Sequence, residues 1–448
     1  MPTTTTTNCC NQTCQQLKQL QQENQTLKTE VDRLKRALIK HENPHTPSAM
    51  RMYPTRTGDH KKSPKRFPGR PKGHKGQTRQ KPKTPTQIIQ PPKTCTCTNC
   101  QTPLTNPTTI KHHLIEEIPN RQNRQVIDFI EFQYQCPNCN TKTQSRPNNC
   151  PPEGIFGVNA LCQTTLLKFE QRLPFEKTAA QMEHAFDLPM SPATVFDITK
   201  RVSQWLTPKY HALMAQVRSS PVVNVDETCI KVDGVKFWLW TFVTKNVTLY
   251  VIRKNRGKRV LEEVLGADFL GYLGCDGWRS YSNFSGRLQR CWAHLLREAE
   301  WLSEHCSEGR RLYVGLKGLF DDLTGALVGD PPLEMRKHLV RLGKRRLRYW
   351  LNKHYVSGDV KGFIGKVRNG FDYWFTFVLV SGLEPTNNLA ERALKEPVVQ
   401  RKIMGTLRNE RGTVIYETMM SLLATWSKQE LDTFDQMRNS LIQAWTKS

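Results

Sequence analysis

A succession of short apolar runs between residues 222 and 302 limits the folds that are open to this chain. Five runs rich in β-branched and aromatic residues predict strands, at residues 222–225, 235–243, 247–252, 272–275 and 288–293. Helical patterns follow the third strand, at residues 257–265, and the fifth strand, at residues 294–302. Strands and helices in this order predict an α/β core built on a mixed sheet.

Three acidic residues occupy recognisable positions around this core. Asp226 and Asp276 each come directly after a predicted strand, and Glu391 lies on a predicted helix far downstream. The order of elements is that of the ribonuclease H fold, in which carboxylates from neighbouring strands meet at one edge of the sheet. Carboxylate oxygens are the ligands that hard divalent cations prefer, and such ions leave positions open for water and phosphate. The sequence therefore predicts that these acids hold two Mg²⁺ (or Mn²⁺) ions in a centre that cuts DNA phosphodiesters.

Polar side chains near these acids are further candidates for the site. His294 could bind a phosphate oxygen or a metal-bound water, although a packed Cys291 and a hydrogen-bonded His294 are an equally good interpretation. A single CxxH pair with no second pair nearby makes a poor zinc site. Asn387, Asn388 and Glu391 share one helix face through their spacing of three and four, so either asparagine could orient water or DNA.

The charge of the chain indicates a polyanionic partner. There are 66 Lys and Arg against 40 Asp and Glu, and the formal net charge is +26. Nucleic acid is the simplest such partner, and we expect double-stranded DNA. No apolar stretch approaches the roughly 20 residues of a spanning helix, and the first residues are polar, so we predict neither a membrane span nor a signal peptide. The 14 cysteines fit a reducing compartment with a metal site, and we expect a cytoplasmic, nucleoid-associated protein.

Basic residues are concentrated in two segments of the chain. Residues 51–83 hold twelve Lys or Arg against one acid, and residues 336–368 hold eleven against one. The first segment is also rich in Pro and Gly, so we expect it to be disordered on its own. Its sequence PGRPKGHKGQTR resembles an AT-hook that enters the minor groove, and a cationic tether that contacts only phosphates is the alternative. The second segment predicts a helical surface that binds the DNA end or its flank.

The residues for which we expect DNA contacts come from these segments and from the neighbourhood of the three acids. They are Arg70, Lys72, Lys75, Arg297, Arg345, Arg346, Asn387, Asn388, Arg392, Arg401 and Lys402. Contacts of this kind go mainly to phosphates, so they supply affinity without reading the base sequence.

Two CxxC pairs indicate a zinc site. Cys97 and Cys100 form the first pair and Cys136 and Cys139 the second, each among turn-forming residues, and the span between them alternates enough to supply strands. Four thiolates at this spacing predict a Cys₄ zinc ribbon whose Zn²⁺ is structural, with no open position for catalysis. Cys95 in place of Cys97 is the alternative ligand.

The N-terminal segment carries a heptad pattern. Leucine and valine recur at alternating steps of three and four from Leu17 to Leu38, and Asn24 fills one a position. Leucine at d with a single Asn at a favours a parallel two-stranded coiled coil in one register. We therefore expect a homodimer or higher oligomer, and an amphipathic helix that packs on its own chain is the alternative.

Four motifs resemble those of transposases of the insertion-sequence-66 family: VDET, CDGWRSY, QRCWAHLLREA and LEPTNNLAERALKEPVVQRKIMGTLRNERG. The resemblance extends to the coiled coil, the GRPKGHKG segment and the zinc ribbon, and so covers most of the chain. It implies a ribonuclease H-like DDE core with a helical insertion and a metal triad at Asp226, Asp276 and Glu391. It also implies that the CxxH pair of related DDE enzymes falls on Cys291 and His294.

The activity implied by this resemblance is the movement of a DNA element. Members of the family cut at the inverted-repeat ends of their element and join the 3′ ends to target DNA, and accessory proteins are possible partners. Cys275 departs from the small polar residue that the family pattern leads us to expect. Two other functions stay open, a nuclease or resolvase of the same fold and a non-enzymatic DNA-binding regulator.

The sequence as a whole predicts a multidomain α/β protein with a ribonuclease H-like core. Its parts are a disordered start (1–13), a coiled coil (14–43), a basic DNA-binding linker (44–92), a zinc ribbon (93–150), a helical DNA-binding or scaffold region (151–215), the catalytic core (216–301 and 384–448) and a basic helical insertion (302–383).

Overall fold

The computed structural model describes residues 20–27, 29–31, 99–100, 124–135, 137–139, 142–284 and 286–446. The chain divides into two compact units, Met1–Glu116 and Glu117–Ser448. In the first unit, residues 20–27 and 29–31 are helical, and the predicted seam residues Leu20, Leu27 and Val31 are exposed. A helix is thus present in this part of the heptad pattern, and its dimerisation stays a prediction.

Several predicted features lie outside the described residues. They are residues 1–13, all of the basic linker (44–92) with the AT-hook residues Arg70, Lys72 and Lys75, and the zinc ligands Cys97 and Cys136. The other two ligands of the predicted ribbon, Cys100 and Cys139, are described and are exposed.

A short hairpin opens the described part of the second unit. Strand β1 (Phe132–Gln135) pairs antiparallel with β2 (Lys142–Ser145), and Phe132 lies opposite Ser145. Cys139 lies in the turn between the two strands. This placement fits one knuckle of the predicted zinc ribbon, which stays a prediction.

Three helices precede the main sheet. They are α1 (Val158–Phe169), α2 (Phe175–Phe186) and α3 (Pro192–Arg218). Helix α3 begins where the sequence LPMSPAT predicts a capped start, because the Ser191 side chain accepts a hydrogen bond from Thr194 N at 3.1 Å. Pro192 at the first helical position costs no intrahelical hydrogen bond. Ile198, Val202 and Leu206 of α3 are fully buried in the main core, and DNA binding by this region stays a prediction.

Five strands form the main sheet, in the order β5-β4-β3-β6-β7. They are β3 (Val222–Val232), β4 (Val235–Val243), β5 (Thr248–Arg253), β6 (Tyr272–Cys275) and β7 (Leu288–Arg290). Strand β4 is antiparallel to both β3 and β5, whereas β6 is parallel to β3 and β7 is parallel to β6. The result is the predicted mixed sheet in an α/β protein.

Strand β3 is longer than the predicted strand at residues 222–225. Its pairing with β4 runs from Asn224 opposite Val243 to Val232 opposite Val235. Asp233 and Gly234 turn the chain between the two strands with positive φ angles of 50° and 73°, as a tight hairpin requires. The prediction that Asp226 ends a strand is therefore wrong, because the ladder continues through the polar residues and leaves Asp226 within β3.

Two helices, α4 (Lys258–Leu265) and α5 (Arg279–Phe284), lie between strands and pack in the main core. The helices that follow β7 form a second apolar cluster. They are α6 (Trp292–His305), α7 (Ser307–Ala326), α8 (Leu333–Leu351), α9 (Gly358–Asn369) and α10 (Thr376–Leu379). The second cluster contains Trp292, Phe363 and Phe375. The prediction that a strand covers residues 288–293 is wrong at its end, because β7 stops at Arg290 and α6 begins at Trp292.

Three further helices close the chain: α11 (Asn388–Met404), α12 (Glu410–Lys428) and α13 (Thr433–Trp445). Helix α12 covers the edge strand β5. Glu417, Ser421 and Thr425 accept hydrogen bonds from the backbone N–H groups of residues 252, 250 and 248, at 2.7, 2.9 and 3.1 Å. Four helical residues rise about 6 Å, close to two residues of a strand, so each helix turn reaches the next outward N–H. The edge is thereby paired by side chains.

Among the described residues, none of the helices combines the length and the apolar character that a bilayer crossing requires.

Candidate active site

Two aspartates lie just beyond the ladder that joins the neighbouring parallel strands β3 and β6. The last pair of this ladder is Asn224 opposite Gly274; Asp226 follows two residues later within β3, and Asp276 directly follows β6. Asp226 is only 6% exposed. The parallel pairing thus brings together two carboxylates that are 50 positions apart in the sequence.

Hydrogen bonds orient both carboxylates. Asp226 Oδ1 accepts from Glu227 N at 2.9 Å, and Asp276 Oδ1 accepts from Trp278 N at 2.8 Å. Burial raises the pKa of Asp276, and the charge of Asp226 raises it further, while the Trp278 N–H, His294 and Arg256 act in the opposite direction. Two negative groups crowded in a buried site are stabilised by a cation, so this donor set fits the hard divalent ions that the sequence predicts.

Glu391 and His294 meet at the first turns of two helices. Glu391 lies in the first turn of α11 and His294 in the first turn of α6, and Glu391 Oε1 is 3.5 Å from His294 Nδ1. Burial alone would lower the pKa of His294, but the hydrogen bond with Cys291 and the charges of Glu391 and Asp276 raise it to about 9. His294 therefore interacts electrostatically with the carboxylates of both Glu391 and Asp276.

Cys291, His294 and Glu391 form the tightest group of possible metal donors. Their donor atoms all lie within 4.8 Å of one another, the one such group of three in the described part of the chain. The sequence alone did not place Glu391 beside Cys291 and His294, because this contact depends on the tertiary packing of α11, the helix that carries Glu391.

Asn387 holds the start of α11 against the sheet. Its side-chain amide donates to Val225 O at 2.8 Å and accepts from Asn224 Nδ2 at 3.0 Å, and its backbone N–H donates to Cys291 Sγ at 3.2 Å. Asn387 is 1% exposed, so the predicted DNA contact of this residue is wrong. Of the two asparagines in the motif, Asn388 is the exposed one.

A second buried acid lies directly after Asp226. Glu227 Oε1 is 2.5 Å from Arg256 Nε, and Glu227 Oε2 accepts a short hydrogen bond from the Tyr281 hydroxyl. Burial raises the pKa of Glu227 to about 7, and the charges of Asp276 and Asp226 add to this effect, while Arg256 and the Tyr281 hydrogen bond oppose it. The VDET motif contains both acids, yet the sequence alone did not assign Glu227 this partner.

Comparison with known protein families gives a clear match over more than half of the chain. Residues 153–415 match the family model described as "Transposase IS66 family". The chain belongs to the IS66 transposase family. The matched range contains both aspartates of the sheet, the CxxH pair and Glu391.

Two curated relatives of this IS66 family member come from Sinorhizobium fredii (strain NBRC 101917 / NGR234). "Uncharacterized protein y4hP" is 21% identical over 388 residues, which cover 77% of this chain and 69% of that protein. "Uncharacterized protein y4jD" is 27% identical over 196 residues, which cover 38% of each chain.

The residues predicted to contact DNA differ in their exposure and in their contacts within the protein. Arg297, Arg345, Asn388, Arg392 and Lys402 are exposed. Two others are engaged within the protein. Arg346 pairs with Asp322 at 2.5 Å, and Arg401 donates to Thr228 Oγ1 at 3.2 Å and to the Cys229 carbonyl oxygen. Arg346 is itself exposed, so of these two residues Arg401 is the one less well placed for phosphates.

Proposed function

We propose that this IS66 family member is a divalent-metal-dependent DNA transposase with a ribonuclease H-like DDE core. The observation that carries the proposal is the position of Asp226 and Asp276, each two residues beyond the Asn224–Gly274 pair that joins two parallel strands. The strand order β5-β4-β3-β6-β7, with one antiparallel pair on each side of β4, supports the fold assignment. Glu391 supplies the third carboxylate, from the first turn of α11.

Asp226, Asp276 and Glu391 would hold two Mg²⁺ or Mn²⁺ ions. When bound, such ions activate a water or a 3′-hydroxyl for attack on the phosphate and stabilise the leaving oxygen. The chain's own residues position the ligands: Trp278 N orients Asp276, Glu227 N orients Asp226, and His294 lies against Glu391. Partial burial excludes bulk water and so strengthens electrostatic interactions at the cut phosphate.

The proposed reaction has two stages on DNA. Hydrolysis frees a 3′-hydroxyl at each inverted-repeat end of the element, and this hydroxyl then attacks a target phosphodiester in a transesterification. The exposed cations Arg297, Arg345, Arg392 and Lys402 would bind phosphates of the element ends and target. We also propose a homodimer through residues 14–43, a structural Zn²⁺ held by the two CxxC pairs, and a nucleoid-associated location, with accessory proteins as possible partners.

Cleavage of a duplex that carries the DNA flanking the gene tests this proposal. Wild type should nick the duplex only with Mg²⁺ or Mn²⁺, and Asp226→Asn should abolish nicking. Asp233→Asn is the matched control, because Asp233 is an exposed turn residue directly after the same strand. Asp233 has a positive φ angle, which asparagine also tolerates. Strand-transfer products identify a transposase, whereas nicking without joining identifies the nuclease or resolvase alternative. Binding without metal-dependent nicking would contradict the proposal and favour a regulator.

A further inference from the structure

Trp278 is an exposed aromatic residue beside the candidate active site. It lies two positions after Asp276, and its backbone N–H donates to Asp276 Oδ1 at 2.8 Å. The residue is 42% exposed. Its indole N–H donates to the Arg256 carbonyl oxygen at 3.3 Å, so the polar edge of the ring already has a partner within the protein. The exposed part of Trp278 therefore offers an apolar π surface next to a proposed metal ligand.

The guanidinium of Arg256 stacks on the Trp278 indole. Its guanidinium carbon is 4.0 Å from the centre of the Trp278 ring and 4.7 Å from the centre of the Trp238 ring. The Nε of Arg256 is 2.5 Å from Oε1 of Glu227, whose side chain is fully buried. Tyr281 binds the other oxygen of Glu227. The stack is thus anchored in the core, which lowers the entropy lost when a ligand binds to it.

We propose that Trp278, backed by Arg256, is a stacking platform for an unpaired nucleobase next to the phosphate that is cut. Aromatic side chains stack on any base because every base has a π face, and a guanidinium behind the ring adds positive charge to the same surface. Asp276 and Trp278 share one turn, so a base on the indole lies beside the phosphate held at the carboxylates. The inference rests on the proposed function, and it adds a role in holding DNA that is locally unpaired.

Binding to single strands with and without bases tests the platform. The probes are a fluorescein-labelled oligo(dA) strand and an abasic strand of the same length and charge, with anisotropy measured in the absence of Mg²⁺. Wild type should prefer the strand with bases. Trp278→Ala should reduce this preference about tenfold, equivalent to about 1.4 kcal/mol, with little change in affinity for the abasic strand. Trp278→Phe should retain most of the preference, because the smaller ring still stacks.

Tyr134→Ala is the control for loss of an exposed aromatic residue. Tyr134 is 58% exposed on β1 and is neither in the candidate active site nor among the predicted DNA contacts, so its removal should leave the base preference at the wild-type value. A Trp278→Ala protein that keeps the wild-type preference, or a wild type without any preference, overturns the inference. Because this experiment measures binding without metal, its result is separate from the cleavage test. Absence of metal-dependent nicking would remove the proposed function and leave the base preference to be judged by itself.

Discussion

The side-chain amide of Asn224 donates a hydrogen bond to Asn387 Oδ1 at 3.0 Å, although 163 positions separate the two residues. Asn224 lies on β3, two residues before Asp226, and Asn387 directly precedes α11, which carries Glu391. The bond is buried, and Asn387 also donates to Val225 O. This pair of asparagines therefore joins the strand of the first carboxylate to the helix of the third.

Asn387→Ala should weaken both folding and cleavage. The substitution leaves buried polar groups of Asn224 and Val225 without their partner, which costs about 1–3 kcal/mol of unfolding free energy. Urea unfolding measures this cost, and the cleavage assay should show a parallel loss as α11 shifts relative to β3. Asn388→Ala, at the exposed neighbour, should change the unfolding free energy by less than about 0.5 kcal/mol. Equal stability of the two variants would contradict the role of Asn387.

Gly274→Ala should disturb the same contact from the side of β6. An added Cβ would lie 2.4 Å from Asn224 Nδ2, so the asparagine must move away from Asn387. Overpacking of this kind costs about 1–3 kcal/mol, measured by urea unfolding. Gly325→Ala is the control, because a Cβ there meets no described atom within 4 Å and the residue lies in helix α7. The prediction is wrong if Gly274→Ala is as stable as this control.

His294→Ala should lower the rate of metal-dependent cleavage. His294 lies 3.5 Å from Glu391, and loss of a group that orients a metal ligand typically costs about 10- to 100-fold in activity or metal affinity. Cleavage rates across a Mn²⁺ titration measure the effect, which higher metal concentration should partly reverse. His305→Ala, at the other end of the same helix, should cleave at the wild-type rate. A purely structural His294 would give a loss that metal concentration does not change.

Glu417 should make the stability of the fold depend on pH. Burial raises the pKa of this carboxyl from 4.5 to about 7, while Arg253 and the Ile252 N–H oppose the shift. A raised pKa means that the folded state holds the proton more tightly. This contribution to the unfolding free energy is therefore fully present below about pH 4.5 and is lost as pH rises through about 7.

Unfolding in urea at about pH 5 and about pH 8 measures this contribution. In Glu417→Gln, which has no proton to lose, the decrease in unfolding free energy between these pH values should be smaller by about 2–3 kcal/mol. Glu410→Gln, at an exposed position on the same helix, should keep the wild-type decrease. An unchanged decrease in Glu417→Gln would show that this carboxyl is charged throughout the range.

Local patterns in the sequence predicted most of the sheet. The strand Tyr272–Cys275 and the strand Val235–Val243 have the predicted bounds, because each is a continuous apolar run between turn-forming residues. The pattern ended β3 too early, at Val225, since polar residues normally mark the end of a buried run. In the fold these polar residues continue the ladder with β4, and their partners come from distant elements.

Sequence by itself determined the residue types of the candidate site, the succession of strands and helices, and the family to which the motifs point. Tertiary structure alone decided that Asp226 and Asp276 follow the same residue pair of two parallel strands, that Glu391 lies against His294, and that Asn387 is buried. It also decided that Trp278 rests on Arg256. These relationships depend on contacts between residues that are far apart in the chain, and such contacts follow from strand register and helix packing, which local periodicity does not encode.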